Sequence, residues 1–433
     1  MILLLALGTS VVGCSGDDDT TDPGTTDLST TSATASSSTT PSETTTSETA
    51  TSTTTSDTTS STASSSTTTA SSSTAPGATP DAAPQPLRPV GPGPYAVGVQ
   101  TITVTDAERD RELTVDVWFP LPAGTEGDAH RYTLVPGTYY ESPRAITARA
   151  AAMAPDGPYP LVVYSHGSGG LRYLHSNYTE AIAGHGYVVA APDHTGNTAL
   201  ERITDTSDPF RKIELDRPQD VAAVIDALTD PAHPTAGPFA ANVDAASIAV
   251  TGHSFGGYTT YAMASGARNR RGSFAADARV DALIPLAPAT GDGTGNRLLS
   301  DAELASITLP ALVIVGTDDR TTPVDPNVTR PWELSASDPQ YRLELVDAEH
   351  QTFTDICDYQ DAVPRLPDVL PVIVETIDAF AEEGCAPDDM PIERATALTN
   401  TFAVTFLDSV FRDGEMITPQ NTVIPDDVNY LVR

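Results

Sequence analysis

Lysine is nearly missing from this chain. Lys212 is the only one in 433 residues, and the first 87 residues carry no arginine either. In total, 23 basic side chains face 58 acidic ones, a formal net charge of −35. Such a chain lacks the clustered cations that neutralise nucleic-acid phosphates or that hold a protein against anionic lipid. Charged residues make up 19%, below the usual ~25%, so the imbalance comes from missing bases. Only nine of the acids precede residue 88. The remainder is therefore acidic in its own right and suits neutral or cationic partners. Long apolar runs are missing from the N-terminus too. Ile2–Leu7 is six residues, far short of the ~20 needed to span a bilayer. Cysteines number three, and no Cys/His cluster has metal-ligand spacing, which argues against a metal site.

What is present at the N-terminus reads as an address and a spacer. The short apolar run ends in Val11-Val12-Gly13-Cys14. This resembles a bacterial lipobox, with Cys14 the lipidated residue and residues 1–14 a lipoprotein signal peptide. Ser15 follows, rather than the acidic residue that favours inner-membrane retention, so the expectation is an extracytoplasmic protein anchored at the outer membrane or cell surface. From Thr20 to Ala75, 41 of 56 residues are Ser or Thr, and no aromatic residue precedes Tyr95. That composition cannot bury enough apolar surface to offset its backbone entropy. Residues 15–94 are thus expected to be a disordered tether, stiffened by prolines between Pro76 and Pro94.

From residue 95 the pattern changes. Val97–Thr105 and Glu112–Phe119 read as a hairpin. Leu161–Tyr164, Tyr187–Ala191, Ile248–Thr251, Ala282–Leu286, Leu312–Val315 and Tyr341–Val346 are apolar without strict alternation, as strands covered on both faces should be. Tyr178–Gly184, Arg217–Leu228 and Phe255–Ser265 read as helices, with Pro218 expected at a helix start. This order predicts an α/β fold: a doubly wound, mostly parallel sheet with an antiparallel hairpin at one edge, spanning 95–433.

The most informative stretch is Thr251-Gly252-His253-Ser254-Phe255-Gly256-Gly257. A strand enters a sharp Gly-x-Ser-x-Gly turn and a helix leaves it, which is a nucleophile elbow. A serine nucleophile needs a base, and the base an orienting acid, in the chain order Ser, acid, His. His350 is the sole histidine after Ser254. The acid should follow the preceding strand, where Asp318 and Asp319 compete. The loop Ser165-His166-Gly167-Ser168-Gly169-Gly170 can turn the Ser168 N–H toward a substrate carbonyl, and the Phe255 N–H would complete an oxyanion hole. His166, His194 and His253 are expected to brace loops. Cys357 and Cys385 form an even pair in an exported domain and are expected to be disulfide-bonded.

Ser165–Gly170, Gly184–His194, Arg217-Pro218-Gln219-Asp220-Val221, Gly252–Gly257 and His350–Asp355 together resemble the secreted platelet-activating-factor acetylhydrolases and the related bacterial predicted dienelactone hydrolases. The resemblance covers roughly residue 95 to the C-terminus. It implies an α/β-hydrolase fold and a Ser/Asp/His esterase with no metal and no cofactor. Related enzymes place a proline four residues after the acid, and Pro323 thereby favours Asp319 over Asp318. The acetylhydrolase resemblance suggests a short-acyl ester as substrate, with the Phe255 ring narrowing the acyl side. The alternatives are a polyester- or lipid-degrading hydrolase with the same triad, and a surface-binding module on a degenerate scaffold. The expected partners are a small-molecule or lipid-like ester and, through Cys14 alone, a membrane. The protein is expected to be a monomer.

Overall fold

Strands that are apolar at every position must be covered on both faces, and the alternation of their side chains divides the core in two. In the computed structural model, which describes residues 83–433 apart from 136, 292–296 and 367–368, these strands form one sheet of eleven. In chain order they are β1 (Ala96–Asp106), β2 (Arg111–Leu121), β3 (Ala129–Val135), β4 (Thr138–Thr147), β5 (Tyr159–Ser165), β6 (Val188–Pro192), β7 (Val243–His253), β8 (Ala282–Leu286), β9 (Ala311–Gly316), β10 (Gln340–Leu345) and β11 (Val428–Val432). Their spatial order is β11-β10-β9-β8-β7-β5-β6-β2-β1-β4-β3. The six from β6 to β10 in that order run parallel. β2 and β11 flank them antiparallel, and β1 pairs with β2 as the expected hairpin, which lies inside the sheet and not at its edge because β4 and β3 extend beyond it. Strands β3, β4 and β11 were not foreseen from the sequence.

Along β5, Leu161 and Val163 enter one core and Val162 and Tyr164 the other. The first core is closed by α3 (Phe210–Thr229) and α4 (Phe255–Ser265), the second by α1 (Ser176–Gly184) and by a helix near the C-terminus, α7 (Ile392–Phe411). A short helix, α2 (Ala199–Thr204), follows β6, and α5 (Ile356–Ala362) and α6 (Pro371–Ala381) follow β10. With helices on both faces of a mostly parallel sheet, this is the doubly wound α/β-hydrolase fold.

Two expectations need correction. The helix expected to begin at Arg217 begins at Phe210, and Pro218 lies inside it. Proline there removes the N–H that would bond the Glu214 carbonyl. The Tyr258 hydroxyl of α4 donates to that carbonyl instead, at 3.0 Å. The boundary expected at residue 95 lies earlier. Gln85–Pro86 pairs in parallel with Thr422–Val423, the Val90 N–H donates to Thr401 Oγ1 at 3.0 Å, and Leu87 and Val90 pack on the second core. Prolines suit extended backbone at an edge. Cys14, the segment expected to be a signal peptide and the Ser/Thr-rich stretch lie outside the described residues.

Candidate active site

The elbow joins β7 to α4 at Ser254, which adopts φ 58°, ψ −118°. A non-glycine residue in that region is strained and persists only where its surroundings enforce it. The enforcement is steric. A Cβ on Gly256 would lie 1.8 Å from the Ser165 carbonyl oxygen, and one on Gly252 would lie 2.6 Å from the same atom. The Ser254 N–H donates to the Leu286 carbonyl at 2.9 Å. From Gly252 to Tyr261, Ser254 is the one residue that is not buried. Ser254 caps α4 through its carbonyl, which accepts from the Gly257 N–H at 2.9 Å and the Tyr258 N–H at 3.3 Å, and its side chain makes no capping hydrogen bond.

Asp319 and His350 meet at the ends of neighbouring parallel strands, β9 and β10. His350 Nδ1 lies 2.8 Å from Asp319 Oδ2. A carboxylate only accepts, so Nδ1 carries the proton and Nε2 is left as a base. Asp319 also accepts from the Thr322 N–H at 2.6 Å and the Thr322 hydroxyl at 2.8 Å. Burial opposes its charge, but the His350 charge and these hydrogen bonds hold its pKa below the ordinary value. Asp318 is exposed, whereas Asp319 is buried, and among the described residues the Asp318 carboxylate accepts only from Thr317 Oγ1 at 3.0 Å.

His350 reaches the elbow through His253. The His253 Nε2–H donates to the His350 carbonyl at 2.9 Å, and the two rings lie 4.5 Å apart. His175 lies on the other side of His253, 4.8 Å away. Burial, reinforced by the His350 charge, lowers the His253 pKa to about 3, so this ring is neutral. No hydrogen bond joins Ser254 Oγ to His350 directly. Catalytic contacts of this type are often long in the absence of substrate. The segment after His350 is tied down by the disulfide Cys357–Cys385, Cα atoms 5.7 Å apart, which links α5 to the turn following α6.

The Gly-rich loop after β5 packs against the elbow. A Cβ on Gly167 would lie 3.4 Å from Ser254 Cβ. The Gly167 carbonyl accepts from the Gly170 N–H at 3.1 Å and from His166 Nδ1 at 2.7 Å. In a planar trans peptide the following N–H points the opposite way. Ser168 N–H is thus turned away from these two donors, and it has no backbone acceptor among the described residues. Nor has the Phe255 N–H. The Phe255 ring does not line the cleft, contrary to the sequence expectation. It is buried, stacked on Tyr258 at 4.9 Å and packed on Phe210 at 5.2 Å. The turn that frees its N–H aims its side chain back under α3.

Sequence reasoning missed a second Ser/His/Asp set behind this loop. Ser165 Oγ lies 2.9 Å from His194 Nε2, and His194 Nδ1 lies 3.0 Å from Asp220 Oδ2. All three residues are fully buried. Asp220 is further paired with Arg111 at 2.7 Å and Arg109 at 2.9 Å, and its pKa is held low against burial by His194 and Arg111. Burial, then the Arg217 charge, lowers the His194 pKa to about 4.

Comparison with known proteins agrees with this architecture. The family model described as platelet-activating factor acetylhydrolase, isoform II, matches residues 129–220. That span holds the Gly-rich loop, His194 and Asp220, and ends before the elbow. Among solved structures, a ferulic acid esterase from Streptomyces cinnamoneus is similar at 24% identity and a TM-score of 0.57, over 81% of this chain and 100% of that one.

Proposed function

We propose, from an α/β-hydrolase fold with a segment similar to the platelet-activating factor acetylhydrolases, that this chain is a serine-dependent carboxylic ester hydrolase. Ser254 attacks the acyl carbonyl. His350 Nε2 takes the hydroxyl proton and returns it to the leaving alcohol. Asp319 holds the imidazole in the required tautomer and stabilises its charged form. The N–H groups of Ser168 and Phe255 receive the oxyanion. Water then releases the acyl group by the same steps in reverse. The observation that carries this reading is the strained, partly exposed Ser254 at a strand–helix elbow, whose neighbour His253 bonds the backbone of a histidine with its Nδ1 committed to a buried carboxylate.

The substrate is proposed to be an ester with a short acyl group. The named activity of the matching family supports this. So does α2, the one helix between His194 and α3, which is six residues long and too short to roof a deep fatty-acyl tunnel. The burial of Phe255 removes the other argument for it. Two alternatives share this site, a polyester or an aggregated lipid. The apolar side chains of Leu200 and Ile203 on α2, 64% and 39% exposed, would suit such a surface. Rates on acetyl, butyryl, octanoyl and palmitoyl esters below their aggregation limits decide the matter. kcat/KM is expected to peak at acetyl or butyryl, and a maximum at octanoyl or longer refutes the short-acyl reading. The disulfide supports an extracytoplasmic location, and the motif at Cys14 supports a lipid anchor there.

A further inference from the structure

Arg217 is completely buried inside α3, yet its guanidinium reaches three segments around the proposed oxyanion hole. Nη2 donates to Ser165 Oγ at 3.0 Å and to the His166 carbonyl. Nη1 donates to Asn197 Oδ1 at 2.7 Å, and Asn197 Nδ2 in turn donates to Ser168 Oγ at 3.2 Å. The Asn197 carbonyl accepts from the Gly169 N–H at 3.1 Å. The guanidinium also lies over the Phe255 ring, 5.0 Å from its centroid. Both residues assigned to the oxyanion hole are thus held by one side chain, Ser168 through Asn197 and Phe255 through its ring.

A planar fork with several donors in fixed geometry is what such a role requires, and a flexible ammonium cannot reproduce it. A buried cation is costly unless paired and hydrogen-bonded. His194 Nε2 accepts from the Ser165 hydroxyl, which leaves the Ser165 lone pair for Arg217. Asp220 at the far end supplies the opposing charge. The links of the row, from Asp220 through His194 and Ser165 to Arg217 Nη2, are all made in one arrangement of donors, while Arg217 Nε has no partner among the described residues.

We propose that Arg217 is a positioning residue that fixes the Ser168 and Phe255 N–H groups for the oxyanion, with the buried Asp220–His194–Ser165 row holding Arg217 in turn. This rests on the ester-hydrolase reading of Ser254. Losing one oxyanion donor outright typically costs about 10²–10³ in rate, and misaligning two costs somewhat less than deleting them. Arg217→Lys is therefore expected to lower kcat by about 10- to 100-fold while KM stays within about twofold. Rates are taken per active site titrated with a fluorophosphonate. A merely structural role would lower the titre and leave turnover per titrated site unchanged. A trifluoromethyl ketone, which mimics the oxyanion, should lose affinity in parallel with kcat. Asn197→Ala removes the link to Ser168 together with the acceptor of Arg217 Nη1, leaves the Asn197 carbonyl on the Gly169 N–H, and keeps the experiment decisive should Arg217→Lys not fold; about 3- to 10-fold is expected, again in kcat. Wild-type kcat per titrated site in the folded variants, or an unchanged ketone affinity, overturns the proposal. A Ser254→Ala protein that still hydrolyses esters would instead overturn the reading beneath it, so the two failures are distinct.

Discussion

Two Ser/His/Asp sets stand on either side of one loop, and by hydrogen-bond geometry the buried one is the more complete. Ser165, His194 and Asp220 are linked end to end at 2.9 and 3.0 Å. In the other set only Asp319 and His350 are joined, at 2.8 Å. Residue types and distances do not make a nucleophile. Ser165 ends a regular strand with no exposure, and its oxygen already accepts from a cation. Ser254 sits in a strained turn, partly exposed, above the open end of a helix. On the proposed function, strain and access mark the site that can react, and a hydrogen-bond partner for each member of a fully buried row marks the one that holds structure.

The largest expected effect separates the two serines. Ser254→Ala should fold and lose about 10⁴-fold or more in turnover. Ser165→Ala should keep turnover per titrated site within about tenfold and lose stability by about 1–3 kcal/mol, because it takes the acceptor from one Arg217 Nη2–H and the donor from buried His194 Nε2. A fluorophosphonate should label Ser254 alone. Labelling of Ser165, or equal losses in the two variants, would break the contrast.

The aspartates sharpen it next. Asp319→Asn is expected to lower kcat by about 10³- to 10⁴-fold, since imidazole loses both its tautomer and its stabilised charge. Exposed Asp318→Asn should be nearly neutral. Asp220→Asn should act on stability instead, by about 3–5 kcal/mol, because Arg109 and Arg111 would lose a buried partner. Should Asp318→Asn prove the slower enzyme, the assignment of the orienting acid is wrong.

Acid should act on the buried set through His194. The folded His194 pKa, about 4, is depressed from an unfolded value of ~6.5. Its neutral form thus favours folding. That contribution, on the order of 3 kcal/mol, is complete above pH ~6.5 and is lost as pH falls toward 4. Asp220 is also depressed, and its contribution is lost only below pH ~4. His194→Gln should make the stability curve shallower by about one proton, or ~1.4 kcal/mol per pH unit, between these limits. Denaturant midpoints across pH 4–7 measure this, and superimposable slopes would show that His194 does not titrate on unfolding.

What could be read from the sequence follows the reach of the interactions. The elbow was legible because its markers are local: Gly252 and Gly256 flank Ser254 within two residues, although the Ser165 carbonyl they make room for is distant in sequence. The parallel strands were legible because burial on both faces leaves unbroken apolar runs such as Leu312–Val315. The buried set was not, because its members lie 29 and 26 residues apart and each alone is an ordinary polar residue near a strand end or in a helix. α7 hid for a different reason. Its buried face includes Thr399, Asn400 and Thr401 among its apolar residues, which blurs the helical period. Pro218 misled because the rule for helix starts knows nothing of a hydroxyl from another helix.

That hydroxyl gives the smallest expected effect and ties the two sets together. Tyr258 is on the helix that leaves Ser254, and Glu214 is on the helix that carries Arg217 and Asp220. Their bond at 3.0 Å is the substitute for the one Pro218 cannot make. Tyr258→Phe should cost about 1–3 kcal/mol, the penalty for a buried carbonyl left without a donor. Pro218→Ala restores an N–H four residues on, so the carbonyl can be satisfied within its own helix. In that background Tyr258→Phe should cost clearly less, and the difference is the coupling read by a double-mutant cycle from denaturant midpoints. kcat should barely move in any of the three variants. Strict additivity would mean that the hydroxyl and the proline do not act on the same carbonyl, and that the two helices are held together by apolar packing alone.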